Sequence, residues 1–422
     1  MPHINNNDLS FDSNWQNLDI YSFLSSAAQI IAPGSITDSG RLLPNTETSH
    51  PNPIVLNAGI PDETVFPIDY LANTFTKIIK ENPSDSLTYG GWFGYEGCRE
   101  EIACRQNRLE NISSLSSENI IMHNGSSGCM ENICKTFLNP GDIVFVESPS
   151  FSGTVRTLQG YGAEVIPIPM TSIGADIDFL KNQISNSSKN KNKIKLFYTI
   201  PDFHNPLGVV TSLNYRKEIL SICEKNQIII VEDAAYTETF YDSPPPPSYY
   251  SLSDGHGVIK MSSFSKITLT GLRVGWIQAR KEIINHLIKV RFDMGTSPLV
   301  HYVLADMISS GELDKHVSKM RTLYKQKCLS LVSSLEKYCS NYLNFDIPSG
   351  GFFLWVNSFP LLADNIVKSS QNEGLLFPNG NIFYTNPEDG KNEFRLAFTR
   401  ETISHLEETG PRLRSAIEKT LD

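Results

Sequence analysis

Short apolar runs alternate with helix-like segments between residues 119 and 279. We expect strands at seven of these runs, namely 119–122, 143–146, 164–167, 194–198, 228–231, 258–261 and 274–277. Strands that are buried on both faces read as continuous apolar runs, and the segments between them supply the helices that cover those faces. The pattern therefore predicts an α/β fold with a mostly parallel seven-stranded sheet flanked by helices.

The chain on either side of this region has a different pattern. A helical stretch at 311–337, a strand-rich segment at 351–356 and a closing helix predict a small α/β domain. The first fifty residues are rich in Asn, Ser and Pro, with one amphipathic stretch at 18–31, and predict an extended arm. The division that we expect is an N-terminal arm 1–53, a large domain 54–305 with a leading segment 54–75, and a small C-terminal domain 306–422.

Composition agrees with a metabolic enzyme. The 422 residues are 40% hydrophobic, enough for a large core, and the net charge of -10 argues against a nucleic-acid or anionic-membrane partner. The seven cysteines show no paired metal-ligand spacing, so we expect no metal site. The chain begins with polar residues, and no apolar run is long enough to span a bilayer. These features predict a cytoplasmic protein with reduced thiols and no membrane partner.

The segment Ser263-Phe264-Ser265-Lys266, with Arg273 seven residues further on, carries the most specific chemical signal. Hydroxyls and a guanidinium can hold a phosphate, and a partly desolvated lysine can lose its proton and form a Schiff base with a carbonyl. Pyridoxal 5'-phosphate (PLP) is the cofactor that needs both. Most lysines are solvated surface charges, but Lys266 lies between two expected strands, where ligands of α/β proteins bind.

Residues 263–266 and 271–276 resemble the active-site lysine motif of fold-type I, class I/II aminotransferases, Ser-x-Ser-Lys followed by Gly-x-Arg-x-Gly-Trp. The resemblance covers nearly all of the chain after residue 54, and residues 56–61 are similar to the start of the kynurenine/2-aminoadipate aminotransferase branch. It implies the fold of a fold-type I PLP-dependent transferase, with Lys266 as the catalytic residue.

Further segments match the family in its own order and imply a set of cofactor contacts. Ser126, Ser127, Ser263, Ser265 and Arg273 would contact the phosphate, and Phe151 would stack on the ring. Asn205 and Tyr236 would donate hydrogen bonds to the phenolate oxygen, and Asp233 would keep the ring nitrogen protonated. Two positions depart from the commoner pattern, because Ser127 replaces a glutamine and Phe151 replaces a tyrosine. Taken alone, the serines and Asp233 are also typical of helix N-caps, and Phe151 of a core aromatic.

The resemblance also implies substrate and partner contacts. Arg395 matches the arginine that binds the substrate α-carboxylate, Gly59 leaves room for that carboxylate, and Asn205 lies beside it. Tyr89 matches a tyrosine that crosses a dimer interface to the neighbour's phosphate, so we expect a homodimer with shared active sites. His204 is expected to pack near the site rather than act as a base.

The function that these residues imply is transfer of an amino group between an L-amino acid and a 2-oxo acid by a ping-pong mechanism. The alternative is another PLP enzyme on the same scaffold, such as a β-lyase, a decarboxylating or oxidative enzyme, or a biosynthetic cyclase, because motifs that hold the cofactor do not choose among these reactions. A transcription regulator with this fold is disfavoured, because the polar residues before the fold show neither a recognition helix nor a basic stripe. The sequence leaves the donor and the acceptor open.

Overall fold

The computed structural model describes residues 19–31, 48–187, 193–386 and 388–421. Most of the expected arm, residues 1–18 and 32–47, lies outside the described residues. The strands are β1 (Ile54–Val55), β2 (Ile120–His123), β3 (Ile143–Ser148), β4 (Glu164–Thr171), β5 (Gly174–Ala175), β6 (Ile194–Thr199), β7 (Ile229–Asp233), β8 (Val258–Ser263), β9 (Gly275–Gln278), β10 (Phe353–Asn357), β11 (Leu375–Leu376) and β12 (Glu393–Ala397).

The α-helices fall between and after these strands. They are α1 (Ser26–Ile31), α2 (Ile68–Glu81), α3 (Pro83–Ser86), α4 (Glu96–Glu110), α5 (Gly125–Phe137), α6 (Ser152–Gly160), α7 (Ile177–Ser187), α8 (Leu213–Lys225), α9 (Tyr249–Leu252), α10 (Lys281–Lys289), α11 (Pro298–Ser309), α12 (Glu312–Cys339), α13 (Ala363–Asn372) and α14 (Ile403–Leu421). Short 3-10 turns include Phe264–Lys266, Thr270–Leu272 and Gly380–Phe383. No described helix is both long and apolar enough to pass through a bilayer.

The large sheet has eight strands in the order β2-β9-β8-β7-β6-β3-β4-β5. All seven expected strands are present, and the eighth, β5, has only two residues, too few to give a pattern. The strands β4, β3, β6, β7 and β8 run parallel, whereas β9 is antiparallel to both of its neighbours. The prediction of a mostly parallel sheet flanked by helices is confirmed.

Alternate side chains of the sheet enter two different cores. Phe145, Phe197 and Ile230 belong to the core on one face, whereas Tyr198 and Val231 belong to the core on the other. Both faces are apolar because helices cover both of them. The apolar runs in the sequence are continuous for this reason.

A third core lies in the C-terminal part of the chain. It is formed under the antiparallel pair β10–β12 and the helices α12, α13 and α14. The strand β1 pairs with β11 in a separate parallel ladder, and Ile54 and Leu56 belong to this third core. The segment that follows β1 therefore connects the C-terminal elements to the large sheet.

The topology brings several chain ends to one edge of the large sheet. β7 ends at Asp233, and its parallel neighbour β8 ends at Ser263. β2 ends at His123, which leads into α5. Lys266 closes the 3-10 turn that follows β8. Ligands of α/β proteins bind at such an edge, so these ends define the candidate site.

Candidate active site

Lys266 is held against the segment that follows β1. The side chain of Ser263 accepts a hydrogen bond of 3.1 Å from the backbone N–H of Ser265 and so caps the turn that carries the lysine. Nζ of Lys266 donates to the carbonyl oxygen of Gly59 at 2.6 Å. Burial lowers the pKa of Lys266 to about 8, and the positive charge of Arg395 adds to this effect while Asp233 opposes it. An amine with such a pKa is partly neutral near physiological pH, as a nucleophile must be.

Asp233 is a buried carboxylate that accepts two hydrogen bonds. The hydroxyl of Tyr198 donates to Oδ2 at 2.8 Å, and the backbone N–H of Ala235 donates to Oδ1 at 3.2 Å. Burial raises the pKa of Asp233 to about 6, and the hydrogen bonds from Tyr198 and Ala235 and the charge of Lys266 oppose the rise. The carboxylate is therefore mainly ionised at neutral pH and can stabilise a positive charge placed beside it.

Arg395 is a buried residue of β12 whose guanidinium contacts both polar and aromatic groups. Its Nη1 donates to Oδ1 of Asn205 at 2.8 Å, and its Nη2 donates to the carbonyl oxygen of Asn57 at 2.5 Å. Among the described residues, Nε of Arg395 has no hydrogen-bond partner. The rings of Phe353 and Phe383 lie 4.3 Å and 4.6 Å from its guanidinium carbon. Burial lowers the pKa of Arg395 to about 10, so it stays charged and is suited to binding a carboxylate.

Tyr236 connects the lysine to the arginine. Nζ of Lys266 lies 5.7 Å from the centre of the Tyr236 ring. Burial raises the pKa of the Tyr236 phenol, while the charge of Arg395 and a hydrogen bond with the side chain of Asn205 oppose the rise. The phenol is thus a neutral hydrogen-bonding group at physiological pH. Lys266, Asp233, Asn205, Tyr236 and Arg395 therefore lie in one site.

The first turn of α5 brings potential hydrogen-bond donors close to Arg273, and we call this group the phosphate cup. Gly125 has a φ of +70°, and a Cβ atom there would lie 2.8 Å from Nη2 of Arg273. The first turn of α5 has no acidic residue, and Asn124 at its N-cap makes no side-chain capping bond. Ser126 is half-buried and Ser127 is exposed at this turn. Uncapped N–H groups, hydroxyls and a guanidinium are the donors that bind a phosphate.

These residues fit PLP on three observations. The glycine at the start of α5 leaves space beside Arg273, where a phosphate would be bound. The buried carboxylate of Asp233 lacks a cationic hydrogen-bond partner among the described residues, although burying a charge is costly without one. The lysine in the same site has an amine with a lowered pKa. The site thus provides groups for the phosphate, the ring nitrogen and the aldehyde of PLP.

Phe151 and Tyr89, two of the expected residues, differ in their exposure in the single chain, and His204 is buried beside a carboxylate. Phe151 is half-buried at the N-cap of α6, one turn before Thr154, whose hydroxyl donates to the Tyr198 hydroxyl at 3.2 Å. Tyr89 is 82% exposed in the single chain. His204 is fully buried, with Nε2 3.3 Å from a carboxylate oxygen of Glu147. Phe151 therefore begins the helix whose Thr154 is connected to Asp233 through Tyr198, whereas the side chain of Tyr89 is exposed to solvent.

Comparison with known proteins decides the family. The sequence profile described as aminotransferase class I and II matches residues 54–409. The chain belongs to this family.

This class I/II aminotransferase has relatives with named activities. It is 30% identical to aromatic-amino-acid aminotransferase 1 of Thermococcus litoralis over 87% of this chain and 90% of the relative. It is 26% identical to 2-aminoadipate transaminase of Thermus thermophilus over 89% and 92% of the two chains. The structure of Pyrococcus horikoshii kynurenine aminotransferase, in complex with PMP with KYN as substrates and KYA as products, has a TM-score of 0.87, with 27% identity and coverage of 96% and 99%.

The family resemblance seen in the sequence is thereby confirmed. The aminotransferase uses PLP, and its reaction is transamination between an amino acid and a 2-oxo acid. Nothing in the comparisons favours the alternative PLP reactions.

The sequence motifs did not indicate several residues of the aminotransferase site. They are Tyr198 beside Asp233, Asn57 beside Arg395, and the three aromatic rings of Phe352, Phe353 and Phe383. Tyr198 ends an expected strand with a polar group on an otherwise apolar face, and this was the available signal. Its contact with Asp233 also requires β6 and β7 to be neighbours, which the pattern of each strand alone does not state.

Proposed function

We propose that this aminotransferase takes its amino group from L-amino acids with aromatic or other large apolar side chains and transfers it to a 2-oxo acid by a ping-pong mechanism. The observation that carries the proposal is the aromatic border of the site. The ring centres of Phe353 and Phe383 lie 4.3 Å and 4.6 Å from the guanidinium carbon of Arg395, and that of Phe352 lies 5.8 Å from Nζ of Lys266. Such rings favour an apolar or aromatic partner over a charged one.

The charges of the site support the same proposal. Arg395 and Arg273 are the described cations whose charge lowers the pKa of Lys266. We assign Arg273 to the cofactor phosphate and Arg395 to the α-carboxylate. With these two assigned, no other described cation acts on the amine of Lys266, so a second carboxylate on the substrate would have no cation this close to the reacting amine. The named activity of the Thermococcus litoralis relative agrees with an aromatic donor.

The residues of the site are assigned the following roles, which the family resemblance supports. When it is bound, PLP withdraws electrons from Cα of the amino acid and carries the amino group between the two half-reactions. Lys266 holds the cofactor at rest, and its Nζ then takes the proton from Cα of the donor. Arg395 binds the α-carboxylate together with Asn205, and Gly59, which has no side chain, leaves room for the Phe353 ring beside Arg395. The cofactor itself is held by Asp233 at the ring nitrogen, Asn205 and Tyr236 at the phenolate oxygen, Phe151 at the ring face, and Ser126, Ser127, Ser263, Ser265 and Arg273 at the phosphate.

We also propose that the working unit is a cytoplasmic homodimer that acts in amino-acid metabolism, including biosynthesis. Tyr89, Trp92, Phe292 and Met294 are large exposed side chains. The two loops that carry them approach each other closely, since a Cβ atom on Gly295 would lie 2.2 Å from the carbonyl oxygen of Gly91. A contiguous apolar patch of this kind is typical of an interface, and a second copy would bring its Tyr89 to this chain's phosphate cup.

A donor screen tests the function. Purified enzyme with PLP is mixed with one amino acid at a time, and the absorbance of the lysine-bound cofactor is followed without any oxo acid. We expect phenylalanine, tyrosine and leucine to bleach the band once per site and a 2-oxo acid to restore it, while glutamate and 2-aminoadipate react more slowly. Faster reaction of 2-aminoadipate would contradict the donor class alone. Continuous release of ammonia, carbon dioxide or hydrogen peroxide without an oxo acid would contradict transamination.

A further inference from the structure

We propose that Tyr198 is a positioning residue that keeps the carboxylate of Asp233 ionised and in place for the ring nitrogen of PLP. The proposal rests on the role that we propose for Asp233 and adds a residue that the sequence motifs do not include. Tyr198 would act through Asp233 alone, without touching substrate or taking part in proton transfer.

The hydrogen bonds around Tyr198 form a directed chain. Thr154 on α6 donates to the hydroxyl oxygen of Tyr198 at 3.2 Å, and that hydroxyl donates to Oδ2 of Asp233 at 2.8 Å. Because the phenol has a single proton, and Thr154 supplies the bond that its oxygen accepts, that proton is committed to the carboxylate. Hydrogen bonds in such a chain strengthen one another in a buried setting.

The sheet fixes this contact. Tyr198 on β6 lies opposite Val231 on β7, and Asp233 follows two residues later on the same face of the sheet. Tyr198 is fully buried in the core of that face. A phenol held by two strands and a core has little freedom to leave the carboxylate, so the position of Asp233 is set by the large sheet rather than by a loop.

The ionisation of Asp233 depends on few groups. Burial raises its pKa to about 6, and the hydrogen bond from Tyr198 is the largest influence in the opposite direction. Other titratable or charged groups act on Asp233 from the elements packed around it, namely Lys266 from the turn after β8, His204 from the loop after β6, Cys129 from α5 and Tyr236 from the segment after β7. Of these, Lys266 has a lowered pKa itself, so its charge is a weak substitute for the phenol.

The test compares two cofactors in apoenzyme. One is PLP and the other is its analogue in which a CH group replaces the ring nitrogen, so that Asp233 has nothing to pair with. We expect Tyr198→Phe to weaken the binding of PLP by about ten-fold or more, as for loss of a hydrogen bond to a charged group, and to leave the affinity for the analogue unchanged. The weakening of PLP binding at acid pH should also begin at higher pH in the variant, because loss of the phenol raises the pKa of Asp233 further.

Tyr249→Phe is the matched control. Tyr249 is also a fully buried tyrosine, but it lies in the core on the other face of the sheet, and its hydroxyl has no hydrogen-bond partner among the described residues. We expect this variant to bind both cofactors like the parent enzyme. Equal losses for PLP and the analogue in Tyr198→Phe, or no loss for either, would overturn the proposal.

Asp233→Asn separates this proposal from the one it rests on. If Asp233→Asn weakens the binding of PLP and of the analogue equally, or of neither, the proposed role of Asp233 fails. If it weakens the binding of PLP alone but Tyr198→Phe does not, only the role of Tyr198 fails. Adding Tyr198→Phe to Asp233→Asn should cost no further PLP affinity, because the phenol acts through the carboxylate; additive losses would show that it acts elsewhere.

Discussion

Asp233 loses more hydration on folding than its two hydrogen bonds from Tyr198 and Ala235 replace, and its pKa is raised for this reason. The folded apoenzyme binds a proton at this site up to about pH 6, whereas the unfolded chain does so only up to its ordinary pKa of 3.8. Between these values the native state holds more protons, so the stability falls as the pH rises, and the full cost persists above pH 6.

Asp233→Asn should therefore stabilise the apoenzyme at pH 7.5 and change its stability little at pH 4. Asparagine keeps the shape of the side chain and removes the buried charge. Urea unfolding of both apoproteins at the two pH values measures the effect, and the pH 4 pair is the internal control. An equal gain at both pH values would mean that burial of the charge is not the cause.

Arg395 is expected to select substrates that have a free α-carboxylate. Its unused Nε and its planar guanidinium suit a two-point contact with a carboxylate, which a lysine cannot reproduce. The parent enzyme should react far faster with phenylalanine than with phenylalaninamide, which lacks the carboxylate. Arg395→Lys and Arg395→Ala should reduce this preference by about ten-fold or more, measured in single turnovers. A general loss of rate that leaves the preference intact would assign Arg395 to the fold instead.

Among the elements, the start of α5 gives the sharpest comparison, because it has two glycines in one turn. Gly125→Ala forces a positive φ on alanine and places a methyl group against Arg273, whereas a Cβ atom on Gly128 has no contact nearer than 3.6 Å. We expect Gly125→Ala to cost about 1 kcal/mol of stability and to weaken PLP binding. Gly128→Ala should do neither, because alanine favours a helix.

Pyridoxal, which lacks the phosphate of PLP, shows why Gly125→Ala weakens the binding of PLP. If the cup at α5 binds the phosphate, Gly125→Ala weakens the binding of PLP and leaves the binding of pyridoxal unchanged. Equal weakening of both compounds, measured by absorbance titration, would mean that the substitution acts on the sheet behind α5.

Elements also show what a sequence can and cannot predict. The strands of the large sheet were predictable because helices cover both faces and leave unbroken apolar runs. β5 was too short to show a pattern, and the pairing of β1 with β11 joins segments far apart in the chain. Lys266 was predicted from a local motif, because the hydroxyls and the arginine that accompany it lie within a few residues in the chain. The contact of Tyr198 with Asp233 depends on which strands become neighbours, so no local pattern contains it.

At the scale of the whole molecule, a shared active site predicts complementation between inactive subunits. Lys266→Ala lacks the catalytic amine, and Tyr89→Ala lacks the residue proposed to reach the neighbour's phosphate. A hybrid dimer of the two contains one site with both defects and one intact site. After unfolding and refolding of an equal mixture, we expect activity from about a quarter of the sites.

The separate variants, refolded alone, are the controls for this mixture. If Tyr89 serves the site of its own chain, every site in the hybrid carries one defect, and the mixture stays as inactive as its parts. Sedimentation of the mixture confirms that dimers have formed before the activity is compared.

The crowding at Gly59 has a practical consequence for engineering. A side chain on Gly59 would meet the ring of Phe353 at 2.4 Å, and that ring lies against both Tyr236 and Arg395. The ring centre of Phe383 lies 4.6 Å from the guanidinium carbon of Arg395, and the ring packs edge-on against Trp355. Work that aims to widen the range of donors should therefore shorten Phe383 rather than Phe353. Loss of the Phe353 ring would leave a gap beside Gly59, whose carbonyl oxygen accepts the hydrogen bond from Lys266.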